Sequence, residues 1–284
     1  MFSARVTIAI PSYNHSAFVQ DCIRSIIAQD YENIELIIID DGSRDDSVAK
    51  IQEMVAACQQ RFMRFEFRHR PNRGLCRTLN EALDWAEGTY FCPFASDDMA
   101  LPEKTSFLVS HIQNTAYLAV FGKTVGIGEI AKPRTLKDTT IHGFAQMIRH
   151  RDMPATPTAL IRTHAIRQLG GYDPSVKMED WYMWLKLTEQ GASLASFPKV
   201  LATYRRHDSN ITNDKALIQA ERHRIVNLFQ HSAHYQAALD ALELTAARDH
   251  EKTDTRKAWQ HLRNYGIWRS KAWPTMLKLL RHSN

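Results

Sequence analysis

Long apolar segments are missing from this 284-residue sequence. No stretch approaches the roughly 18 consecutive apolar residues that a membrane-spanning helix needs, so we expect no transmembrane helix. The chain also shows no charged and then apolar leader before a predicted strand at Val6, so we expect no secretory signal. Both absences predict a cytoplasmic protein, either free or attached peripherally to the inner face of the cytoplasmic membrane.

Cysteine is scarce and unpatterned. The four cysteines show no CxxC spacing, and we therefore expect no zinc site. We interpret them as reduced residues, mostly in the core, of a protein in a reducing compartment. They are Cys22, Cys58, Cys76 and Cys92. The sequence contains no internal repeat.

Positive charge is concentrated near the C-terminus. The whole chain carries a formal net charge of +5, whereas residues 251–284 contain eight basic and two acidic residues, a net charge of +6. Trp259, Trp268 and Trp273 lie among these basic residues, and such a mixture suits an anionic membrane surface. The alternative is a helical subdomain with packed tryptophans and a solvated basic face. No nucleic-acid-binding motif accompanies the charge, so we expect no nucleic-acid partner.

Apolar strands alternate with amphipathic helices over most of the chain. Strands are predicted near residues 5–10, 34–39, 62–67, 90–95 and 117–125, and the helices between them include one that Asp45 or Asp46 would cap and that runs to about residue 60. This alternation predicts a parallel sheet covered by helices. A helix at 179–190, a strand pair broken by Pro198 within 193–205, and helices after residue 213 follow. A boundary near residue 212 therefore separates a domain at 1–212 from a basic helical extension at 213–284.

Two pairs of carboxylates follow two of the predicted strands. One strand leads into Asp40 and Asp41, and another leads into Asp97 and Asp98. Ligands of open α/β sheets bind at the carboxyl ends of the strands. Carboxylates there suit the N–H groups of a base, ribose hydroxyls, or a metal carried by a phosphate. We therefore predict a nucleotide at the first pair and a divalent cation on its diphosphate at the second. Ordinary turns and helix caps are the alternative.

Five short motifs resemble those of family 2 glycosyltransferases. They are Ile10-Pro11-Ser12-Tyr13-Asn14, Asp40-Asp41-Gly42-Ser43, Asn72-Arg73-Gly74, Ser96-Asp97-Asp98 and Glu179-Asp180-Trp181. The matching motifs span about residues 5–208, and their order and spacing make the match specific although each alone is weak. The resemblance implies the GT-A fold, a Rossmann-like, mostly parallel sheet flanked by helices. It also implies an inverting transfer from a nucleotide diphosphate sugar, usually a UDP-sugar, with Mn2+ or Mg2+.

The resemblance also implies which residues bind the donor. Asp41 accepts the N3–H of uracil, which selects UDP over CDP because cytosine presents an acceptor there; GDP and dTDP are less cleanly excluded. Tyr13 offers a ring on which the base can stack. Arg77 and the helix that begins at Gly74 could face the diphosphate. The expected nucleotide-sugar-binding set is Pro11, Tyr13, Asn14, Asp40, Asp41, Asn72, Gly74, Arg77 and Asp97.

The expected metal ligands are Asp98, Asp97 and His207, with Asp97 assigned to the ribose or the metal. Hard oxygen ligands favour Mg2+ or Mn2+, and the cation would act as a Lewis acid on the departing diphosphate. Ala95 stands where the longer family motif has its first aspartate, so the division of roles between the two carboxylates stays open.

The expected catalytic base is a carboxylate at the start of the predicted helix at 179–190. Inversion by direct displacement requires the acceptor hydroxyl to lose its proton as it attacks, and a carboxylate within hydrogen-bond reach can take it. We assign this role to Asp180, with Glu179 second. Charge that complements the helix dipole is the alternative.

These expectations combine into one function. We expect a metal-dependent glycosyltransferase that moves a hexose or N-acetylhexosamine to a hydroxyl of a glycan or lipid-linked glycan in surface polysaccharide synthesis. Residues 1–125 would form the nucleotide-binding half and residues 126–212 the acceptor half. The alternative is a non-catalytic sugar-nucleotide-binding or scaffold protein of the same fold, favoured only by Ala95. A nucleotidyltransferase-like enzyme would need a basic phosphate loop after the first strand, and Pro11–Asn14 is not one.

Overall fold

Two compact units make up the chain. The computed structural model describes residues 4–127, 138–150, 153–207, 214–250, 254–266 and 272–282. The first unit comprises Met1–Gly143 and Pro154–Asp208, and the second comprises Phe144–Met153 and Ser209–Asn284. The domain boundary near residue 212, and the division of the first domain into two functional halves, stay predictions.

One mixed sheet forms the centre of the first unit. Its strands are β1 (Val6–Ser12), β2 (Ile34–Asp40), β3 (Arg64–His69), β4 (Tyr90–Pro93), β5 (Met99–Ala100), β6 (Ala119–Gly126), β7 (Thr140–His142), β8 (Leu160–Arg162) and β9 (Leu194–Tyr204). They are ordered β3-β2-β1-β4-β8-β6-β9-β5, and β7 also pairs with β9. The first four strands of this order pair in parallel, as the sequence predicts. β8 is antiparallel to both of its neighbours, and β6 and β9 pair in parallel.

Helices cover the sheet and form the second unit. They are α1 (Val19–Ile27), α2 (Ser47–Gln52), α3 (Val55–Arg61), α4 (Leu75–Trp85), α5 (Lys104–Ile112), α6 (Phe144–Met147), α7 (Thr163–Gln168), α8 (Glu179–Thr188), α9 (Lys215–Asn227), α10 (Tyr235–His250), α11 (Thr255–Tyr265) and α12 (Trp273–His282). Of these, α6 and α9 to α12 belong to the second unit. No described helix is both long enough and apolar enough to cross a membrane.

The core of the first unit explains why these strands form. All seven residues of β2 are buried, which is the pattern of a strand covered on both faces. On one face Cys22, Ile23 and Ile26 of α1 pack into the same cluster as Ile38 of β2. Their spacing places them on a single stripe of the helix. The predicted α/β class with a C-terminal helical extension is therefore confirmed.

One predicted helix is shorter than expected. The segment that follows Asp46 forms α2 and α3 rather than one helix to residue 60. The Met54 N–H donates to Ile51 O at 2.9 Å, a tighter turn that separates the two helices. Asp46 makes no capping bond, whereas Asp45 accepts the Ser47 N–H at 3.0 Å.

The predicted strand pair near Pro198 is wrong. Residues 194–204 form one strand, β9. Its register against β6 shifts between the pair Ser196–Phe121 and the pair Val200–Lys123. The extra residues on the β9 side, which include Pro198, form a bulge. Proline lacks an N–H for the ladder, and a bulge accommodates it without ending the strand.

The second unit has a small core of its own. Ala258 and Leu262 of α11 and Leu279 of α12 are fully buried in one cluster with Leu244 of α10. A carboxylate further ties three helices together. Glu243 of α10 accepts hydrogen bonds from residues of α9 and α11, and the described helices therefore share polar as well as apolar contacts.

Candidate active site

The carboxyl ends of the parallel strands lie at one edge of the sheet. The register places Ser12 of β1 beside Asp40 of β2, and Ala9 of β1 beside Pro93 of β4. The loops that follow these strands carry the predicted donor and metal residues. Parallel pairing therefore brings both acidic pairs to the same edge.

Asp40 is fully buried and organises the first of these loops. Its Oδ1 accepts the Ser43 N–H at 2.8 Å and contacts His69 Nδ1 at 3.1 Å. Its Oδ2 accepts the hydroxyls of Ser43 at 2.6 Å and Ser12 at 3.3 Å. Four groups of the described chain thus contact the Asp40 carboxylate, and these contacts fix the shape of the loop.

Asp41 joins this loop to the segment before α4. Its carboxylate accepts the Arg73 N–H at 2.8 Å and the Gly74 N–H at 2.9 Å, and it pairs with the Arg70 guanidinium. Gly74 has a φ of 88°, a conformation that side chains disfavour, and it directly precedes α4. The start of α4 is therefore fixed to the end of β2.

The loop after β1 connects the two acidic pairs. Asn14 adopts a left-handed φ of 54°, donates its N–H to Ser43 Oγ at 2.8 Å, and accepts the Arg44 N–H at 2.8 Å. Asparagine tolerates this conformation better than most residues. The next residue, His15, places Nδ1 2.7 Å from Ser96 Oγ, beside the second acidic pair. Before them, the Tyr13 ring is 42% exposed.

Three side chains, one of which belongs to the second acidic pair, could hold a metal ion. One ligand atom each from His15, Asp97 and His207 lie within 4.8 Å of one another. His207 Nε2 is 2.9 Å from Asp97 Oδ2, across 110 positions of sequence. Antiparallel pairing explains this contact, because Met99 of β5 faces Thr203 of β9 and so brings the residues before β5 opposite those after β9.

The imidazole of His15 is held in a form that can bind a metal. Burial lowers the pKa of His15, and the neighbouring His207 acts in the same direction, while Asp97 and Asp45 oppose them. A lowered pKa keeps a ring nitrogen unprotonated, which metal ligation requires. Phe18 packs beside this group, with its ring centroid 5.0 Å from that of His207.

Asp98 lies behind this group and is almost fully buried. Its Oδ1 accepts the Arg205 N–H at 2.9 Å, and Arg205 Nε donates to Asp97 O at 3.0 Å. Burial raises the pKa of Asp98 to about 7, partly offset by the bond from Arg205 and reinforced by Asp97. The Arg205 guanidinium lies 4.7 Å from the centre of the Phe18 ring. The hydrogen bonds between Arg205 and the second acidic pair therefore hold the end of β9 against the loop that carries this pair.

Glu179 and Asp180 begin α8, as predicted. Asp180 Oδ2 accepts the Thr156 hydroxyl at 2.7 Å and Oδ1 accepts the Trp181 N–H at 2.6 Å. Burial raises the pKa of Glu179 to about 8, and the adjacent Asp180 adds to the rise. Nearby, the buried Tyr172 hydroxyl has no hydrogen-bond partner among the described residues.

The predicted donor residues are distributed over several elements. Pro11 lies within β1, opposite Ile39, rather than in the loop after it. Asn72 and Arg77 are exposed, before and within α4. Hydrogen bonds join Asp41 to Gly74 and Asp97 to His207, whereas Asp180 forms hydrogen bonds with Thr156 and Trp181.

Two members of the site were not predicted from the sequence. His15 follows Asn14 directly, and its position after a strand was the only signal available. Arg70, which pairs with both Asp41 and Glu81, lies two residues before Asn72. Isolated basic residues carry no spacing signal, so only their contacts identify them.

The chain is similar to a known protein family. The family profile described as Glycosyl transferase family 2 matches residues 7–168, which is more than half of the chain. The chain belongs to glycosyltransferase family 2. The protein is therefore a glycosyltransferase, and the resemblance carried by the five motifs is confirmed.

Several bacterial relatives support this membership. An uncharacterized glycosyltransferase of Haemophilus influenzae is 26% identical over 225 residues, which cover 73% of this chain and 67% of that protein. The putative glycosyltransferase EpsE of Bacillus subtilis is 26% identical over 197 residues, covering 66% and 68%. Chondroitin synthase of Escherichia coli is 28% identical over 231 residues, covering 78% of this chain and 32% of that protein.

Solved structures confirm the GT-A fold. S. aureus TarS 1–349 in complex with UDP-GlcNAc superposes with a TM-score of 0.69 at 15% identity, covering 97% of this chain and 79% of that chain. The mannosyltransferase PcManGT of Pyrobaculum calidifontis, in complex with GDP-Man and Mn2+, also superposes with a TM-score of 0.69 at 15% identity, covering 100% and 80%.

Proposed function

We propose that this family 2 enzyme transfers a hexose or N-acetylhexosamine, with inversion, from a nucleotide sugar to a hydroxyl of a glycan or lipid-linked glycan. The observation that carries the proposal is the loop after β1. Asn14 of this loop donates to Ser43, which in turn donates to Asp40 of the first acidic pair. His15 of the same loop contacts Ser96, which directly precedes the second acidic pair. A nucleotide diphosphate needs a base site and a metal site at such neighbouring positions.

The proposed donor is a UDP-sugar. A carboxylate has about four acceptor positions, and described donors occupy three of those on Asp41. The remaining position suits the single N3–H of uracil. The exposed Tyr13 ring supplies a face for stacking. The two structural neighbours were solved with UDP-GlcNAc and GDP-Man, which supports a nucleotide sugar and leaves the base to be tested.

The proposed metal ligands are His15, Asp97 and His207. Their ligand atoms are close enough to share one ion, and Asp98 is instead engaged with Arg205. Two imidazoles and one carboxylate favour Mn2+ over Mg2+, since Mg2+ prefers a shell of oxygens. A bound cation would neutralise the charge that develops on the departing diphosphate.

The proposed catalytic base is Asp180. The hydrogen bonds from Thr156 and Trp181 hold the orientation of its carboxyl group. Glu179 is a weaker candidate because its pKa, raised by burial to about 8, leaves it protonated at neutral pH. Asp180 would accept the proton of the acceptor hydroxyl as that oxygen attacks the anomeric carbon.

Calorimetric titration tests the donor. UDP, GDP, CDP and dTDP are each titrated into the full chain with Mn2+ and then with EDTA. We expect UDP to bind tightly only with the metal. Preference for another nucleotide would overturn the UDP assignment, and equal binding in EDTA would remove the metal from the site.

The metal ligands are tested by spectroscopy rather than by turnover. Mn2+ binding is followed by electron paramagnetic resonance in wild type, His15→Gln and the control His164→Gln, which changes a histidine outside the cluster. We expect Mn2+ to bind about 10- to 100-fold more weakly when a ligand is lost, by analogy with mutations at metal sites. Unchanged affinity in His15→Gln would exclude His15 as a ligand.

Adjacent variants test the base. We expect Asp180→Asn to lower the transfer rate by roughly 100- to 10,000-fold while UDP binding is kept, since general base catalysis contributes about that much. Glu179→Gln serves as the matched control and should lower it less. The reverse order would assign the base to Glu179.

The proposed setting is surface polysaccharide synthesis on a glycan or lipid-linked acceptor, at the inner face of the cytoplasmic membrane. The bacterial relatives support a sugar polymer as product, since one of them is named a chondroitin synthase. Assay of transfer from a panel of UDP-sugars to short glycans and to polyprenyl-linked glycans tests this setting. Transfer only to a protein or a small molecule would contradict it.

A further inference from the structure

The outward face of α11 is basic. Ala258, Leu262 and Tyr265 face the core of the second unit. The opposite stripe, with the spacing of successive helical turns, consists of Arg256, Gln260 and Arg263, while Trp259 at its edge is partly buried and packs against the same core. The helix therefore keeps one side for packing and presents hydrogen-bond donors on the other.

These four side chains line a surface recess of about 710 Å3. Arginine offers five N–H donors and no acceptor, and the indole and amide groups add further N–H donors. Among the residues that the structure describes, no carboxylate lines the recess. Within the part of the chain that the structure describes, neither Arg256 nor Arg263 forms an ion pair. The recess is thus complementary to the oxygens of a phosphate group.

The exposed face of α12 is apolar beside its positive charge. Thr275 and Leu279 are buried, whereas Trp273 and Leu277 are each 52% exposed. Pro274 and Lys278 complete the exposed stripe. A tryptophan and a leucine next to a lysine on one helix face are typical of segments that lie at a membrane interface.

We propose that α11 and α12 bind the surface of a bilayer that contains anionic phospholipids. Arg256, Gln260 and Arg263 contact headgroup phosphates, and Trp273 and Leu277 enter the interface. Residues 251–284 carry a net charge of +6, against −1 in the rest of the chain. This positive charge complements an anionic membrane surface, and we therefore assign the face to this partner. The proposal adds a partner to the proposed function and does not depend on the transfer reaction.

Vesicle flotation of the full chain tests the proposal. Vesicles of phosphatidylcholine alone are compared with vesicles that also contain phosphatidylglycerol, at low and at high salt. We expect binding only to the anionic vesicles, and weaker binding at high salt because ions screen the attraction. Equal binding to both compositions, or to neither, would overturn the proposal.

Matched double variants locate the surface. Arg256→Gln/Arg263→Gln should weaken vesicle binding roughly 20-fold, since each arginine near an anionic surface contributes about five-fold. The control Arg24→Gln/Lys215→Gln removes the same charge from exposed positions elsewhere and should bind within about two-fold of wild type. An equal loss in both variants would show that only net charge matters and would contradict the assigned site.

A third variant separates the membrane from other occupants. Trp273→Ser/Leu277→Ser should weaken vesicle binding while leaving UDP binding and the thermal unfolding midpoint of the chain unchanged. Release of wild type from vesicles by millimolar inorganic phosphate would assign the recess to a soluble anion. Loss of a dimer in light scattering of this variant would assign the face to a second copy. Either result would overturn the proposal without bearing on the transferase.

Discussion

Asp41, which we propose as the partner of the donor base, also has a structural role. It is almost fully buried, and it receives two backbone N–H groups and the Arg70 guanidinium. An amide at this position would keep the shape but turn one acceptor oxygen into a donor that faces other donors. Removing an acceptor from a buried group leaves its partners unsatisfied, which costs more than the bond itself contributes.

We therefore expect Asp41→Asn to lower the free energy of unfolding by ~1–3 kcal/mol. Asp46→Asn is the matched control, because Asp46 is exposed and makes no capping bond. Its effect should stay within about 0.5 kcal/mol. Urea unfolding of the three proteins measures the difference, and equal stabilities would show that the contacts of Asp41 contribute nothing net.

A carboxylate ties three helices of the second unit together. Glu243 of α10 contacts His223 Nε2 of α9 at 3.3 Å, His261 Nδ1 of α11 at 2.8 Å and Asn264 Nδ2 of α11 at 3.1 Å. Burial opposes ionisation, but these hydrogen bonds outweigh it and lower the pKa of Glu243 to about 2. The hydrogen bond to Glu243 raises the pKa of His223. The packing of the helices is thus coupled to pH.

The two shifts give opposite pH dependences. The stability that Glu243 adds is complete above its ordinary pKa of 4.5 and is lost as the pH falls toward about 2. The stability that His223 adds is complete below 6.5 and is lost as the pH rises through its raised pKa. We expect Glu243→Gln to flatten both limbs of the pH profile of the thermal unfolding midpoint. The control Asp249→Asn, exposed on the same helix, should keep the wild-type profile.

At the scale of the whole molecule, ligand binding is linked to stability. Residues from four separate segments of the first unit meet at the site: the loops after β1, β2 and β4, and the end of β9. Anything that binds this folded arrangement and not the unfolded chain must raise the free energy of unfolding. A metal that joins His15, Asp97 and His207 would also tie the end of β9 to the loop after β1.

We expect UDP with Mn2+ to raise the unfolding midpoint of the full chain more than either ligand alone. At about 100 times the dissociation constant the gain is ~2.7 kcal/mol, which corresponds to roughly 4–5 °C for a chain of this size. Differential scanning calorimetry with and without EDTA measures it. His15→Gln should reduce the increment that needs the metal, and an unchanged increment would contradict the ligand set.

Much of the fold and part of the candidate site follow from the sequence alone. Apolar runs such as Leu36–Ile39 predict buried strands, and the residues directly after them lie at the carboxyl ends of those strands. The order of Pro11–Asn14, Asp40-Asp41, Asp97-Asp98 and Glu179-Asp180 is enough to indicate the family that the comparisons confirm. These signals are local, because a strand and the loop after it are read from neighbouring residues.

Only the tertiary structure decides which distant residues meet. His207 contacts Asp97 because β5 pairs with β9, and Arg70 contacts Asp41 because β3 pairs with β2. Pairing register is set by the summed packing of whole strands and leaves no short pattern at the residues it joins. For the same reason His15 and the bulge at Pro198 were not predicted. The sequence by itself determined the family and the approximate positions of the first strands, and the pairing of the strands decided which residues form the cluster of His15, Asp97 and His207.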